Sequence, residues 1–234
     1  MEEIKIIELK QSVFEDNDKD AERLRSGLKD TGVFLMNMMS SPGSGKTTLL
    51  LSLAEKLSGR LSWAVMEADI DSDVDATRMI DAGVRSVQLH TGGMCHLDAD
   101  MTRQGLAELG VIQGEADGSV AVCEKLDMVV LENVGNLVCP AEFDTGACLD
   151  VTILSVPEGD DKPLKYPLMY EKCDILIVSK IDVLPYFDFD TEKVVANVRM
   201  RNPKIDVIFV SAKTGEGMDE LADKIEKCVR EWQQ

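Results

Sequence analysis

The sequence predicts an α/β fold, a mostly parallel wound sheet with helices on both faces. From Val33 onward, short apolar runs alternate with amphipathic segments, the pattern of strands joined by crossover helices. The 234 residues, 44% of them hydrophobic, suffice for one sizeable core but not for two large domains. A glycine-rich turn between the first apolar run and the helix after it fits the first strand-to-helix turn of such a sheet.

Residues 1–13 read as a short leader of mixed charge. Residues 18–29 read as a helix because Ala21, Leu24 and Leu28 recur at helical spacing. The expected division is an N-terminal leader and helix over residues 1–30 and one domain over residues 31–234. Apolar runs place strands at 33–39, 61–66, 87–90, 128–132, 151–156, 175–179 and 207–210. Helices are expected to start near Thr47, Asp75, Asp98, Thr191 and Met218. Residues 109–119, with Gly110, Gly114 and Gly118, break the helical pattern and read as a loop or irregular insertion.

Lys plus Arg total 25 against 43 Asp plus Glu, a net charge of -18. Such a field repels nucleic-acid backbones and anionic membranes, so neither is an expected partner, while a local anion site stays open. The apolar runs are far shorter than a membrane span. The start Met1-Glu2-Glu3-Ile4-Lys5 lacks the features of a secretory signal, and a cytoplasmic location is expected. The six cysteines form no CxxC pair and read as thiols rather than a disulfide framework.

Ser40-Ser41-Pro42-Gly43-Ser44-Gly45-Lys46-Thr47-Thr48 lies between an apolar strand and an amphipathic helix, the setting of a phosphate-binding P-loop. Gly43 and Gly45 let backbone N–H groups approach phosphate oxygens, with Ser44 between them and the helix N-terminus adding its dipole. Lys46 would bridge the terminal phosphates and Thr47 would ligate Mg2+. Ser40 stands where the first glycine of the motif is expected, so the opening turn must tolerate a serine. The fold class is thereby a P-loop NTPase.

Ser179-Lys180-Ile181-Asp182 and Ser211-Ala212-Lys213 each follow a predicted strand and resemble the guanine-specificity motifs NKxD and SAK of GTPases. Asp182 can accept from both N–H groups of the guanine edge, Lys180 can lie along the base, and Ala212 can present its N–H to the guanine oxygen. Ser179 replaces the usual asparagine, which predicts the loss of a loop-bracing hydrogen bond. With the P-loop upstream, guanine is favoured over adenine.

Residues 67–75 are acidic at every second position beyond the second strand. Asp69 could hold Mg2+ or the attacking water, and Asp75 could do the same or cap a helix over residues 76–82. Asp71 and Asp73 read as a solvated acidic loop. Glu132 ends a buried strand and is a candidate for the Mg2+ shell. Gly135 is a candidate for a backbone contact to the third phosphate. The expected catalytic set is Lys46, Asp69 and Glu132. No arginine finger or water-positioning glutamine is identifiable, which predicts slow intrinsic hydrolysis.

Cys95 and His96 adjoin on a glycine-rich loop, and Cys139 lies seven residues beyond Glu132. Thiolate and imidazole suit zinc, nickel or copper(I). From the residues alone, simple packing of the Cys-His pair is the competing reading.

The segments SSPGSGKTTLL, DATRM, TGGMCHLDADM, ENVGNLVCPAEFD, EGDDKPLKYP and SKID together resemble the hydrogenase nickel-incorporation GTPase family, HypB, from about residue 30 onward. CHLDA and ENVGNLVCP are the specific part. The resemblance implies a GTPase that loads Ni2+ into hydrogenase and forms a homodimer with GTP. It implies Cys95, His96 and Cys139 as ligands for Ni2+ or Zn2+ near the subunit interface, with a missing fourth ligand shared across the two-fold axis. It also implies a HypA-type nickel chaperone and the hydrogenase large-subunit precursor as partners. Residues 1–30 contain no Cys or His, so nickel storage is not expected. The stretch around residues 110–119 is long for the family. Alternatives are a urease-type accessory GTPase, a P-loop kinase, and a GTP-gated scaffold with structural zinc.

Met36, Met38 and Met39 read as adaptable core, and Cys123, Cys148, Cys173 and Cys228 as small buried side chains. Lys162 and Lys165 read either as reaching a partner's nucleotide or as a solvated loop.

Overall fold

The computed structural model describes residues 9–69, 74–114, 120–122 and 125–234. The chain runs through α1 (Leu9–Thr31), β1 (Phe34–Ser40), α2 (Lys46–Leu57), β2 (Trp63–Asp69), α3 (Val74–Asp81), β3 (Arg85–His90) and α4 (Ala99–Glu108). It continues through β4 (Ile112–Gly114), β5 (Val120–Val122), β6 (Met128–Glu132), β7 (Leu149–Ser155), α5 (Lys162–Lys165) and α6 (Pro167–Lys172). The last elements are β8 (Ile175–Ser179), α7 (Thr191–Arg199), β9 (Asp206–Phe209) and α8 (Met218–Trp232). Seven strands pair in parallel in the order β3-β2-β6-β1-β7-β8-β9. Among the described residues, no helix is long and apolar enough to cross a membrane.

Alternate residues of each central strand face opposite cores. Met36 and Met38 of β1, Val130 of β6 and Val151 of β7 pack with Leu50 and Leu53 of α2 and Leu221 and Ile225 of α8. On the other face, Leu35 and Leu131 meet Leu24 and Leu28 of α1 and Leu106 of α4. Met39, Leu176 and Val178 pack with Tyr170 of α6 and Val194 of α7. Burial on both sides explains why these strands read as unbroken apolar runs.

The expected α/β architecture is present, with four differences of detail. Helix α1 begins at Leu9, inside the stretch read as a leader. Its Arg25 donates to both carboxylate oxygens of Asp144 at 2.6 and 2.8 Å, and Asn17 accepts from the N–H of Ala99. Helix α3 begins at Val74, so Asp75 lies within its first turn rather than ahead of it. Within residues 109–119, Ile112–Gly114 pairs antiparallel with Val120–Val122, so a short hairpin replaces the expected loop. Val111 and Ile112 are buried, which anchors its first strand. Helices α5 and α6 and the 3-10 turns at Cys139–Ala141, Val156–Glu158 and Ile181–Tyr186 were not expected. Residues 1–8, Asp71, Asp73, Gly118 and Cys123 lie outside the described residues. Met36, Met38, Met39 and Cys173 are buried, whereas Cys148 and Cys228 are half-buried.

A polar chain crosses the sheet interior. Asn133 Nδ2 donates to Asn37 Oδ1 at 3.1 Å, and Asn37 Nδ2 donates to Asp150 Oδ1 at 2.8 Å. The second bond follows from register, since Asn37 and Asp150 are partners across β1 and β7. Burial pushes the Asp150 carboxyl up to about 7, against the opposing hydrogen bond from Asn37. A raised carboxyl pKa means that the folded state holds the proton longer than the unfolded chain, whose aspartate ionises near 3.9. Stability therefore falls as pH rises from about 4 to 7, and the cost is complete above that window. Asp150→Asn keeps an acceptor for Asn37 and removes this cost. Its melting temperature should exceed the wild type's by at least about 2–4 °C at pH 8. The gap should narrow towards pH 4.5, and a constant gap would place the ionisation elsewhere.

Candidate nucleotide and metal site

A cleft of about 580 Å³ lies at the carboxyl ends of β1, β2 and β6, lined by Gly43, Gly45, Lys46, Thr47, Thr48, Glu67, Arg78, Glu132, Asn133 and Gly135 among others. Gly45 has φ 98°, a left-handed angle suited to glycine, and it leads directly into α2. Ser40 ends β1 in extended backbone, so the serine at the motif's opening position carries no strain. Its buried hydroxyl accepts from Lys46 Nζ at 2.9 Å and from Ser44 Oγ at 2.7 Å, and it donates to the Ser41 carbonyl. Lys46 Nζ also stands 4.0 Å from Glu132 Oε1. Gly135 packs on Pro42, where an added Cβ would lie 3.2 Å from the ring.

A second cleft of about 320 Å³ is lined by Ser44, Gly45, Thr48, Ser179, Lys180, Asp182, Ala212 and Lys213 among others. It shares Gly45, Thr48 and Lys180 with the first, so the two lie side by side. Buried Ser211 donates its hydroxyl to Asp182 Oδ1 at 2.8 Å, and Lys213 Nζ lies 4.0 Å from Asp182 Oδ2. Lys180 has φ 61°, the one positive φ outside glycine among the described residues. Its Nζ donates to the Gly43 carbonyl at 2.7 Å. The brace expected to be lost with asparagine is present in another form, because Ser179 Oγ donates to the Ser44 carbonyl at 2.9 Å.

Glu67 and Glu132 are register partners on adjacent strands, both buried at the floor of the first cleft. Glu67 accepts from Ser86 Oγ at 3.0 Å. The oxygen donors of Thr47 and these carboxylates match the preference of Mg2+ for hard ligands. Asp69 ends β2 and Asp75 lies in α3, but their side chains lie outside the described residues. Glu67 and Arg78 escaped the sequence reading as site residues. For Glu67 a signal existed in a carboxylate interrupting an apolar strand at the position matching Glu132. For Arg78 the signal is its place in DATRM, although nothing in that segment alone assigns it a chemistry.

Cys95 and Cys139 are brought together from the loops after β3 and β6. The neighbouring Cys139 thiol, with a smaller contribution from burial, holds the Cys95 thiol above its ordinary range. His96 Nδ1 lies 3.9 Å from Cys95 Sγ, while its ring stacks on Phe143 with centroids 3.7 Å apart. Burial lowers the His96 pKa, favouring the neutral imidazole that ligates metals. Among the described residues, no group of three His, Cys, Asp or Glu side chains is gathered as a metal shell. Two soft sulfur donors therefore stand together, with the imidazole held beside them by stacking. Lys162 lies 4.0 Å from Glu158 Oε1 and over the Tyr166 ring, and Lys165 pairs with Asp161 at 2.5 Å. Neither lysine lines the two clefts.

Fold and site define a P-loop nucleotide-binding protein of the wound-sheet class. A family described as CobW/HypB/UreG, nucleotide-binding domain, matches residues 34–209. Hydrogenase maturation factor HypB of Azotobacter vinelandii is 44% identical over 223 residues, covering 95% of this chain and 70% of that protein. The Escherichia coli K12 protein of the same name is 39% identical, covering 97% of this chain and 74% of its own. The chain belongs to the HypB family of hydrogenase maturation factors. The crystal structure of HypB from Helicobacter pylori in complex with nickel has a TM-score of 0.81 at 35% identity, covering 94% of this chain and 97% of that one. HypB from Archaeoglobus fulgidus has a TM-score of 0.80 at 31% identity, covering 92% and 99%. A LAO/AO transport system kinase, at 16% identity and a TM-score of 0.51, shares the fold alone.

Ser179→Ala removes the link between β8 and the P-loop without touching either cleft's charge. Nucleotide affinity should fall about 3- to 10-fold, the worth of one neutral hydrogen bond, as measured by titration with a fluorescent nucleotide. Unchanged affinity would show that Lys180 alone braces the loop.

Proposed function

We propose that the protein is a GTP-hydrolysing nickel metallochaperone for maturation of nickel-iron hydrogenase, coupling GTP-dependent dimerisation to metal binding and release. The observation that carries this reading is the adjacency of the phosphate and base clefts, with Asp182 fixed by Ser211, at the strand edge from which the Cys95 and Cys139 loops also emerge. Membership of the HypB family and the likeness to a nickel-complexed relative support it.

In this reading, backbone N–H groups of residues 43–48 cradle the phosphates, and Lys46 leaves Ser40 to meet the terminal ones. Thr47 and Glu132, with Asp69 and Asp75, would hold Mg2+. When bound, that ion offsets charge on the terminal phosphates. Water attacks the third phosphorus, the bond to the bridging oxygen breaks, and its electron pair stays on GDP. The water proton leaves with inorganic phosphate. Asp182, Lys180, Ala212, Ser211 and Lys213 select guanine.

Nickel, or zinc in its place, is the cargo. Cys95, Cys139 and His96 supply three donors, and the fourth comes from the second protomer of a GTP-bound homodimer. Asp69 and Glu132 closing on the magnesium and third phosphate would favour that dimer. Hydrolysis would then open the metal shell. Lys162 and Lys165 are candidates to reach the partner's nucleotide. A HypA-type chaperone and the hydrogenase large-subunit precursor, in the cytoplasm, are the expected partners.

Intrinsic hydrolysis should run at order 10⁻³ to 10⁻² per second, and Lys46→Ala should abolish it. Asp182→Asn should weaken GTP binding about 100-fold and favour xanthine nucleotide relative to guanine, as measured by competition titration. Comparable wild-type affinity for ATP and GTP would overturn the guanine assignment.

Cys95→Ala and Cys139→Ala should each weaken Ni2+ and Zn2+ binding at least about 10-fold, with melting temperature nearly unchanged. Titrations with GDP and with a nonhydrolysable GTP analogue should give different metal affinities. Equal affinities would refute the coupling.

A further inference from the structure

Arg78 lines the phosphate cleft from α3, together with Lys46, Glu67 and Glu132. The helix that carries it is fixed by the next residue, since Met79 is fully buried in the core shared with α2 and α8. The arginine that lines the cleft is thus carried by a seated helix.

Charge at this end of the cleft shows what the arginine can do. Lys46 lies 4.0 Å from the Glu132 carboxylate, and Glu67 is buried beside it in register. Without Arg78, Lys46 and Lys180 are the cations that line a cleft holding two carboxylates, leaving no excess of positive charge for a triphosphate tail. Lys180 is directed to the Gly43 carbonyl, at the junction with the base cleft. Arg78 is the third cation among the cleft's lining residues, with Lys46 and Lys180. Its planar fork suits two phosphate oxygens at once.

We propose that Arg78 is a phosphate-binding residue acting within its own chain, donating to the third phosphate of the bound nucleoside triphosphate and to the charge that builds on the leaving oxygen as that phosphate departs. The inference rests on the GTPase reading above and gives a role to the arginine of DATRM, a segment to which the sequence attaches no chemistry. An arginine supplied in cis still permits slow turnover, so the role accords with the rate expected.

The test compares full-length wild type, Arg78→Ala and Arg78→Lys. It measures affinity for GDP and for a nonhydrolysable GTP analogue, single-turnover hydrolysis, and binding of GDP with aluminium fluoride, which mimics the departing phosphate. Arg78→Ala should lose about 10- to 100-fold in hydrolysis. It should also bind the analogue more weakly relative to GDP and fail to form the aluminium fluoride complex. Arg78→Lys should be intermediate, because it keeps charge but loses the fork. Hydrolysis and the analogue-to-GDP ratio both matching wild type would overturn the proposal. So would an equal fall in affinity for both nucleotides, which marks a structural role. Melting curves identify a variant that fails to fold, in which case Arg78→Lys carries the same comparison. A wild type that binds no guanine nucleotide brings down the GTPase reading and this role together, whereas normal wild-type turnover with an indifferent Arg78→Ala removes only the arginine.

Discussion

Because β1, β2, β3, β6, β7, β8 and β9 all run the same way, every one of them ends at the same edge of the sheet. A parallel sheet needs crossover helices on its faces, so the loops at that edge are the ones free to carry chemistry. The P-loop after β1, the acidic end of β2, the Cys95 loop after β3, the Cys139 loop after β6 and the two loops after β8 and β9 are gathered by this constraint alone. They span nearly 180 residues of chain, yet no additional interaction is required to collect them. The order of strands then divides the edge. The central and right-hand strands shape the nucleotide clefts, while β3 and β6 bring the two thiols together.

Within the nucleotide site, hydroxyls replace the residues the motifs would lead one to expect. Ser40 stands in place of glycine and ties Lys46 and Ser44 to one buried oxygen. Ser179 stands in place of asparagine and still reaches the P-loop carbonyl. A hydroxyl both donates and accepts, so one oxygen can satisfy several buried neighbours at once. The loop is consequently satisfied internally, and a phosphate bound there exchanges Lys46's bond to Ser40 for a stronger charge-assisted one.

The sequence revealed most clearly what is fixed by burial. The strands at Met128–Glu132 and Ile175–Ser179 match expectation to the residue, because both faces are covered and polar residues bound each run. The second strand, expected at residues 61–66, runs instead from Trp63 to Asp69, and its end is missed because Glu67 breaks the apolar run. It does so as a cleft residue, and pattern reasoning cannot tell a solvated carboxylate from one turned into a site. The hairpin strands of three residues are too brief for periodicity, and their glycines argued for a loop. Helices α5 and α6 were hidden by Pro163 and Pro167, which punctuate a sequence but are well accommodated in a helix's first turn. Local motifs revealed the P-loop and the base loops because each is contiguous. Arg78 and the meeting of Cys95 with Cys139 depend on crossover geometry, which no local window contains.

The chain's net charge of -18 and its cleft for a polyanion are reconciled by distance. At physiological salt the field of remote carboxylates is screened over about 8 Å, so the bound phosphates respond chiefly to the groups lining their own cleft. There Lys46, Arg78 and Lys180 face Glu67 and Glu132, and the N-terminus of α2 adds oriented N–H groups at Gly45 and beyond. The local excess of positive charge is small, because two buried carboxylates are retained where a simple anion site would have none. Their presence makes sense if a divalent cation accompanies the phosphates, since it turns the same carboxylates from repellent neighbours into ligands. A site balanced in this way holds a nucleotide with its metal much better than either alone, and it loosens when one phosphate leaves.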